Sequence, residues 1–524
     1  MNDPARQAWG ELLLVGLLTL LWLAATAWAR PLMLPDEGRY VGVAWEMLRS
    51  GDWLTPTLNG LPYFHKPPLF YWITAASLAT FGLDEWAARA APVLGAAAGA
   101  FALHAFTRRW AGRRAAVVTL LVLLAQPLWY FGGQFANLDM LVAGSISATI
   151  LLLAHAALCV EQGVPHRRTL AAAYLMAALG VLAKGLIGAV LPALVLLAWL
   201  ALTRRWRALS ALLWAPGMAL FLLVAAPWFI AMQWRFSDFF DYFFVTQHFK
   251  RFTSGGFNNV QPFWFYPAVM VLFTLPWLPW AHRLFRTGAL ADPRQGPVRL
   301  LMWLWLIVVV SFFSLPQSKL LGYVLPAVPP LAWLMADAFL SIAAPSVLSK
   351  RLWWTSAAVA ALLSIGAVID FSVHPRKSSR QIAATLGAQR APHEPVFMLG
   401  RYDHDLPFYA RLRGPVAVID DWTSAEVGQR DNWRKELADA GQFAKAAASA
   451  ALLTPEAFAP ALCVAPTAWV LGSSSAVGSY PWLAQARKFT SVGSTTLWAI
   501  DKSAPGMASA LRCAGTPSGD STSR

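Results

Sequence analysis

About eleven stretches close to the roughly 20 apolar residues that a membrane helix needs run through the first 371 positions of this 524-residue chain. They lie near residues 10–30, 87–107, 115–131, 141–160, 169–183, 186–202, 208–231, 264–281, 298–314, 320–341 and 352–371. Backbone in hydrocarbon must satisfy its own hydrogen bonds, so a chain written this way folds as a helical bundle in lipid. Composition agrees: 57% of the residues are hydrophobic and 13% charged, where soluble domains carry about 25% charged. The stretches at 169–183 and 186–202 are short and separated only by Lys184 and Gly185. The first follows Arg6 and ends in small residues, as a signal peptide would. It is longer than the roughly 7–15 residues of a signal core, which favours an uncleaved anchor.

Charge placement assigns the sides. The net charge of +15 does not form one basic face, as nucleic-acid binding would require. It sits in short clusters between apolar runs: Arg108, Arg109, Arg113 and Arg114; Arg167 and Arg168; Arg204, Arg205 and Arg207; Arg283 and Arg286; Lys350 and Arg351. Alternating spans put every cluster on one side, the cytoplasmic side by the positive-inside rule. The N-terminus is then cytoplasmic and the C-terminus on the outer face.

Residues 1–371 therefore read as a membrane domain with two long outer segments, 31–86 and 232–263. Beyond Phe371 the charge, Gly and Ser content rises and apolar stretches of spanning length cease. Val396–Gly400, Pro415–Asp420 and Ala468–Gly472 read as strands, and Ser379–Gln389 and Gln442–Leu453 as helices, giving a small outer α/β domain over 372–516. Residues 517–524 read as a disordered tail. Three cysteines without a CxxC pair exclude a disulfide framework and a zinc ribbon. Cys463 and Cys513 both fall in the outer domain, where a bridge is permitted but not required; Cys159, in the fourth span, should stay reduced.

The uncommon polar residues gather at the outer interface. Asp36 and Glu37 follow the first span; His65 and Lys66 sit in Tyr63-Phe64-His65-Lys66-Pro67-Pro68; Asn137 and Asp139 open the fourth span. Lys184 lies at the turn between the fifth and sixth spans, His248, Lys250 and Arg251 in the second long segment, and Lys319 and Tyr323 at the start of the tenth span. Ionisable groups at such positions are functional candidates. Each has a plainer role open to it: Asp36 and Asp139 as helix caps, Lys66 and Arg251 as headgroup contacts, Lys184 as a snorkelling end residue. Taken together, a carboxylate and several cations at one membrane face suit a lipid phosphate and a reacting nucleophile. This chemistry leaves the transferred group unnamed.

The motifs supply it. Pro35-Asp36-Glu37-Gly38-Arg39-Tyr40, Ser50-Gly51-Asp52-Trp53, and the Tyr63–Trp72 segment resemble the first outer loop of one GT-C glycosyltransferase group. That group contains the bacterial lipid A aminoarabinose transferases and the protein O-mannosyltransferases. Ala136–Met140, Leu182–Gly185, His248–Phe252, Pro262–Tyr266 and Ser318–Pro326 continue the resemblance in order, over roughly residues 10–370. It implies a polytopic GT-C fold with about 11–13 transmembrane helices and a small C-terminal periplasmic α/β domain. It also implies a polyprenyl-phosphate sugar donor, with chemistry on the outer face. By motif position Asp36, with Glu37, matches the catalytic acid pair and Asp139 the second loop carboxylate. Lys66 matches the donor-phosphate lysine, Lys184 a cation lining the site, and Tyr323 a residue closing over the phosphate. Arg251, Tyr63 and Arg39 join the donor-phosphate set. His248 matches a histidine associated with a bound divalent metal, Zn or Mg, for which His65 is a second ligand and Glu37 a third. The alternative is that both histidines only donate hydrogen bonds to phosphate. The chain departs from the pattern at His65, where aminoarabinose members usually carry Glu.

The expectation is a multi-pass glycosyltransferase of the bacterial inner membrane, moving a sugar from undecaprenyl phosphate to lipid A or another envelope glycolipid. Transfer to a secreted protein hydroxyl is the second reading. A lipid or sugar transporter would need midplane polar residues and two related halves, and the sequence offers neither. A membrane sensor would not concentrate its motifs in the membrane part.

Overall fold

The computed structural model describes residues 4–250, 259–286, 288–375 and 377–513, the side chains of 4–9 and 248–250 excepted. Two compact units emerge: Met1–Pro31 with His65–Pro375, and Leu32–Phe64 with Arg376–Arg524. The outer segment following the first span thus divides, its first half joining the unit that holds the C-terminal sheet.

In the first unit every apolar stretch read from the sequence is helical. Among the described residues, six helices are long and apolar enough to cross a membrane: Ala90–Trp110, Leu138–Glu161, Ala215–Arg235, Gly296–Ser314, Leu321–Leu340 and Val347–Val373. The pair Arg113–Ala125 and Pro127–Gly133, bent by 69°, makes a seventh if taken as one span. The estimate of about eleven full spans is therefore not met by length. Gly10–Ala24 and Ile187–Leu202 are shorter, and 264–281 splits into an α-helix, Phe265–Thr274, and a 3₁₀ segment, Leu275–Phe285. Pro276 and Pro279 explain the split, since proline lacks the amide that an α-helix interior uses. One further apolar helix, Leu69–Phe81, lies within what reads as an outer loop.

Glycine sets the tightest crossings. A Cβ on Gly144 would run into the Gly95 carbonyl, joining Leu138–Glu161 to Ala90–Trp110; one on Gly188 would meet the Gly180 backbone. Close backbone approach at small residues is how helices associate without a hydrophobic drive between them.

The second unit contains a two-stranded hairpin, β1 (Thr57–Leu58) and β2 (Leu61–Pro62), and a six-stranded sheet. Asn59 and Gly60 connect the hairpin with φ of 55° and 75°, as a two-residue turn matching strand twist requires. The sheet strands are β3 (Val396–Leu399), β4 (Ala417–Ile419), β5 (Leu452–Leu453), β6 (Thr467–Ser473), β7 (Arg487–Val492) and β8 (Thr495–Asp501), in the order β5-β4-β3-β6-β8-β7. β5, β4, β3 and β6 run parallel, and β8 and β7 antiparallel. Apart from β5, which lies in a stretch read as helix, the parallel strands β3, β4 and β6 are those whose continuous apolar runs are visible in sequence, because both their faces are covered. The β7–β8 hairpin is not, since Arg487-Lys488-Phe489-Thr490-Ser491-Val492 is mostly polar and exposed. Phe397, Ile419, Phe458, Val470, Trp498 and Ile500 form part of its core. Of the helix expected at Gln442–Leu453, Lys445–Ala451 is helical, Gln442 ends the preceding helix Trp433–Gln442, and Leu452–Leu453 is strand β5. The tail from residue 517 lies outside the described residues.

Cys463 and Cys513 are disulfide-bonded across a separation of 50 residues, and Cys159 is free and buried. Cross-linking a loop of that size stabilises chiefly by restricting the unfolded chain, by about 2–4 kcal/mol. Cys463→Ser in the full-length protein should therefore lower the melting transition of this unit. Thiol mapping should find both cysteines blocked in the parent protein; free thiols there would contradict the bridge.

Candidate active site

Three elements of the first unit converge on one ion pair. Helix Leu138–Glu161 starts at Asn137, whose Oδ1 accepts the Asp139 amide at 3.0 Å while its Nδ2 donates to Asp139 Oδ2 at 3.1 Å. The cap is thus Asn137, not Asp139. Asp139 is instead a first-turn carboxylate, 7% exposed, paired with Lys184. Lys184 is the last residue of helix Arg167–Lys184, which Gly185 ends at φ 96°. An acid at a helix N-terminus and a base at a C-terminus both match the helix dipoles. Lys184 Nζ lies 4.2 Å from the Tyr323 ring centroid. Gly322 presses its backbone on the Asp139 carboxylate so closely that a Cβ would overlap Oδ2. The loop carrying them is pinned: Tyr266 donates its hydroxyl proton to Leu320 O at 2.9 Å, and buried Lys319 donates to Gln261 O at 2.9 Å and Pro316 O at 2.5 Å. Lys319 therefore braces the loop, while Lys184 and Tyr323 present a cation on an aromatic face.

His65, 5% exposed, meets the Tyr242 hydroxyl through Nε2 at 2.8 Å, and Gln247 Nε2 donates to the same hydroxyl at 3.0 Å. The Tyr242 hydroxyl thus holds His65 Nε2 while accepting from Gln247, with the His65 tautomer setting which of the first pair donates. Lys66 follows it, half-buried. The His248 side chain and Arg251 lie outside the described residues. Among the described residues, no group of three or more His, Cys, Asp or Glu could hold a metal, and Glu37 Oε2 is taken by the Met33 amide at 2.9 Å. The His248 side chain being outside the described residues, the donor set suggested by the sequence is incomplete here, and no chemical step below passes through a metal.

The second unit holds the other carboxylate. Helix Asp36–Ser50 begins after Pro35, and no side chain caps its N-terminus. Asp36, expected as the cap, is the first helical residue and pairs with Arg39 one turn on, at 3.4 Å. Arg39 Nε also lies 3.1 Å from Glu436 Oε2, on helix Trp433–Gln442. His404 Nε2 is 3.5 Å from the same oxygen. Burial works against the charge on Arg39, but Glu436, Tyr63, Tyr40 and Asp36 outweigh it and raise its pKa well above the usual value. Burial lowers the pKa of His404 despite Glu436, which favours the neutral ring. Tyr63 is buried at 1% exposure. Glu46 gathers the hairpin, accepting from Asn59 N at 2.7 Å, Gly60 N at 2.9 Å and Thr57 Oγ1 at 2.8 Å; burial raises its pKa.

Glu436, His404, Tyr242 and Gly322 were not singled out as individual site residues in the sequence. One signal was present: Arg401-Tyr402-Asp403-His404-Asp405 follows β3, and ligands of parallel sheets bind beyond the carboxyl ends of strands.

Residues 65–230 match the family model of dolichyl-phosphate-mannose-protein mannosyltransferases. An undecaprenyl phosphate-alpha-4-amino-4-deoxy-L-arabinose arabinosyl transferase of Pectobacterium carotovorum is 33% identical over 362 residues, 68% of this chain and 63% of that protein. A transferase of the same name from Pseudomonas aeruginosa is 34% identical over 340 residues, 64% of this chain and 60% of that protein. The matched region thus spans less than two thirds of these relatives' length. The crystal structure of ArnT from Cupriavidus metallidurans bound to undecaprenyl phosphate superposes with a TM-score of 0.78 at 25% identity, over 94% of this chain and 98% of that one.

This is a GT-C fold of the ArnT kind. The resemblance read from the motifs stands, and with it a multi-span membrane protein, mainly helical, with a small C-terminal sheet.

Proposed function

We propose that this chain transfers a sugar from a polyprenyl phosphate to an acceptor at the outer face of a bacterial inner membrane. The observation that carries the reading is the Asp139–Lys184–Tyr323 constellation, a lysine side chain at a helix end, paired with a carboxylate and set against an aromatic ring. Such a group can take the negative charge of a departing phosphate, and charge developing in a dry site is stabilised far more than in water. The names of the transferase relatives and the undecaprenyl phosphate bound to the Cupriavidus ArnT support the donor class. Lys66 joins Lys184 in receiving the phosphate, and Asp36 serves the acceptor. In the reaction the sugar C1–O bond to phosphate breaks, a bond from C1 to an acceptor oxygen forms, and polyprenyl phosphate leaves. A hydroxyl acceptor loses its proton to the Asp36 carboxylate; an acceptor phosphate, already ionised, is oriented by it.

Lipid A or another envelope glycolipid is the proposed acceptor. A protein hydroxyl is the second reading, favoured by the family model over 65–230. A lipidomic comparison of a deletion strain with its parent tests this: loss of one sugar-modified glycolipid species is expected, and an unchanged glycolipid profile beside a lost glycoprotein would transfer the claim to protein.

The proposed topology is N-terminus in, C-terminal unit out, from the arginine clusters. Reporter fusions after Arg114 and Arg207 should behave as cytoplasmic, and fusions after Lys66 and Arg380 as periplasmic. The inverse pattern would remove the outer-face assignment.

A further inference from the structure

We propose that the first unit carries, at the far end from Lys184, a binding site for an anionic phospholipid, with Arg167 holding the phosphodiester. By the topology proposed above this is a lipid of the inner leaflet.

A cavity of about 360 Å³ opens where helices Arg167–Lys184 and Ala215–Arg235 begin, a size usual for small-ligand pockets. Its lining is mixed: Arg167 and His166 are polar, and Leu170, Leu213, Trp214 and Pro216 are apolar. The walls are fixed by packing. Tyr174 donates its hydroxyl proton to Leu212 O at 2.8 Å, and a Cβ on Gly217 would run into the Tyr174 ring. The short helix Trp206–Leu212 and the start of Ala215–Arg235 are thereby held against helix Arg167–Lys184. Ser210, also in the lining, donates to Arg207 O at 2.9 Å, so Arg207 stands one turn from the cavity. The 18 residues of helix Arg167–Lys184, at 1.5 Å each, set this cavity roughly 25 Å from the Asp139–Lys184 pair.

The charge here is one-sided. No Asp or Glu occurs between Glu161 and Asp238, and Glu161 is paired with Arg205. Among the described residues the side chains of Arg167, Arg168 and Arg207 have no ion-pair partner. Arg167 and Arg168 also stand in a first helical turn that holds no acid, the end at which the helix dipole disfavours cations. The chain leaves that positive charge uncompensated, and an anion in the cavity compensates it. The positive-inside rule accounts for the sign of these loops, not for a cavity among them.

Two observations choose a lipid over a soluble phosphate. Trp206, between Arg205 and Arg207, is 58% exposed and Leu213 64%, which places apolar surface beside the bases as an interfacial segment does. Ala215 lines the cavity. With Met218 and Leu222, three and seven residues on and both exposed, it forms an apolar stripe along helix Ala215–Arg235. Acyl chains follow that stripe while the phosphodiester meets Arg167.

The test is thermal melting of the delipidated full-length protein in neutral detergent, titrated with phosphatidylglycerol or with phosphatidylcholine. A ligand of the folded state raises the transition saturably. Phosphatidylglycerol should do so and phosphatidylcholine should not. Arg167→Gln should raise the phosphatidylglycerol needed for half-saturation about fivefold, the equivalent of the ~1 kcal/mol that one basic residue contributes at an anionic leaflet. Adding Arg207→Gln should raise it to about twenty-fivefold. Lys350→Gln with Arg351→Gln removes the same charge from another inner cluster and should leave half-saturation unchanged. Equal losses in the two double variants would reduce the effect to diffuse attraction and overturn the site. A parental shift produced by sn-glycerol 3-phosphate at the same concentrations would overturn the lipid assignment, and the absence of any phosphatidylglycerol effect would overturn both. Arg167 is exposed and unpaired, so the variants should melt like the parent without lipid. Because the readout involves no transfer, its failure leaves the transferase reading standing.

Discussion

Asp36→Asn should leave a folded, membrane-inserted protein that has lost transfer by about 10²–10⁴-fold, the usual contribution of a positioned base. The structure sharpens this expectation. Helix Asp36–Ser50 has no side-chain cap, and Pro35 occupies the cap position. Asparagine at 36 therefore disturbs no capping bond, keeps the side-chain shape and removes only the charge. The lost attraction to Arg39 costs little, because Arg39 retains Glu436 at 3.1 Å. Expression and melting should match the parent while turnover collapses, and donor affinity should be largely kept. Transfer at the parental rate, measured beside expression level, would sink the catalytic role of Asp36.

Lys66→Ala should lower turnover by about 10²–10³-fold, as removal of one donor to a developing anion typically does. Lys66 follows His65, which the Tyr242 hydroxyl fixes at 2.8 Å, so its backbone is set before any substrate arrives. Lys184 cannot fully replace it, being already paired with Asp139. Removing Lys66 leaves the Asp139–Lys184 pair intact, and the variant should fold. Steady-state kinetics on a polyprenyl-phosphate sugar, with binding of polyprenyl phosphate alone measured separately, checks this. Near-normal turnover would contradict the phosphate role.

The helices of the first unit were legible because lipid imposes one rule: the backbone bonds itself and the side chains are apolar. Each apolar run is long enough to show that rule without a neighbour. The number of full spans was less legible. Pro276, Pro279 and Pro326 turn helix into 3₁₀ segments, and apolar helices such as Ile187–Leu202 fall short of spanning length. In the second unit the parallel strands β3, β4 and β6 announced themselves by apolar runs buried on both faces, whereas β7 is mostly polar and is held by pairing with β8, whose Leu497, Trp498 and Ile500 are buried.

The candidate residues divide in the same way. Sequence by itself singled out Asp36, His65, Lys66, Asp139, Lys184 and Tyr323 as polar residues next to apolar helices, since an ionisable group beside an apolar helix is costly and conspicuous. Only the tertiary structure decided their partners. It gave the helix cap to Asn137 and the ion pair to Asp139, set Lys184 beneath Tyr323, spent Glu37 on the Met33 amide, and brought Glu436 to Asp36's own arginine, 397 positions away in sequence. The reason is physical. The cost of placing a charge in an apolar setting is local and can be read one residue at a time. The compensation comes from whichever groups the fold brings within about 3–4 Å, at distances over which ion pairs and hydrogen bonds act.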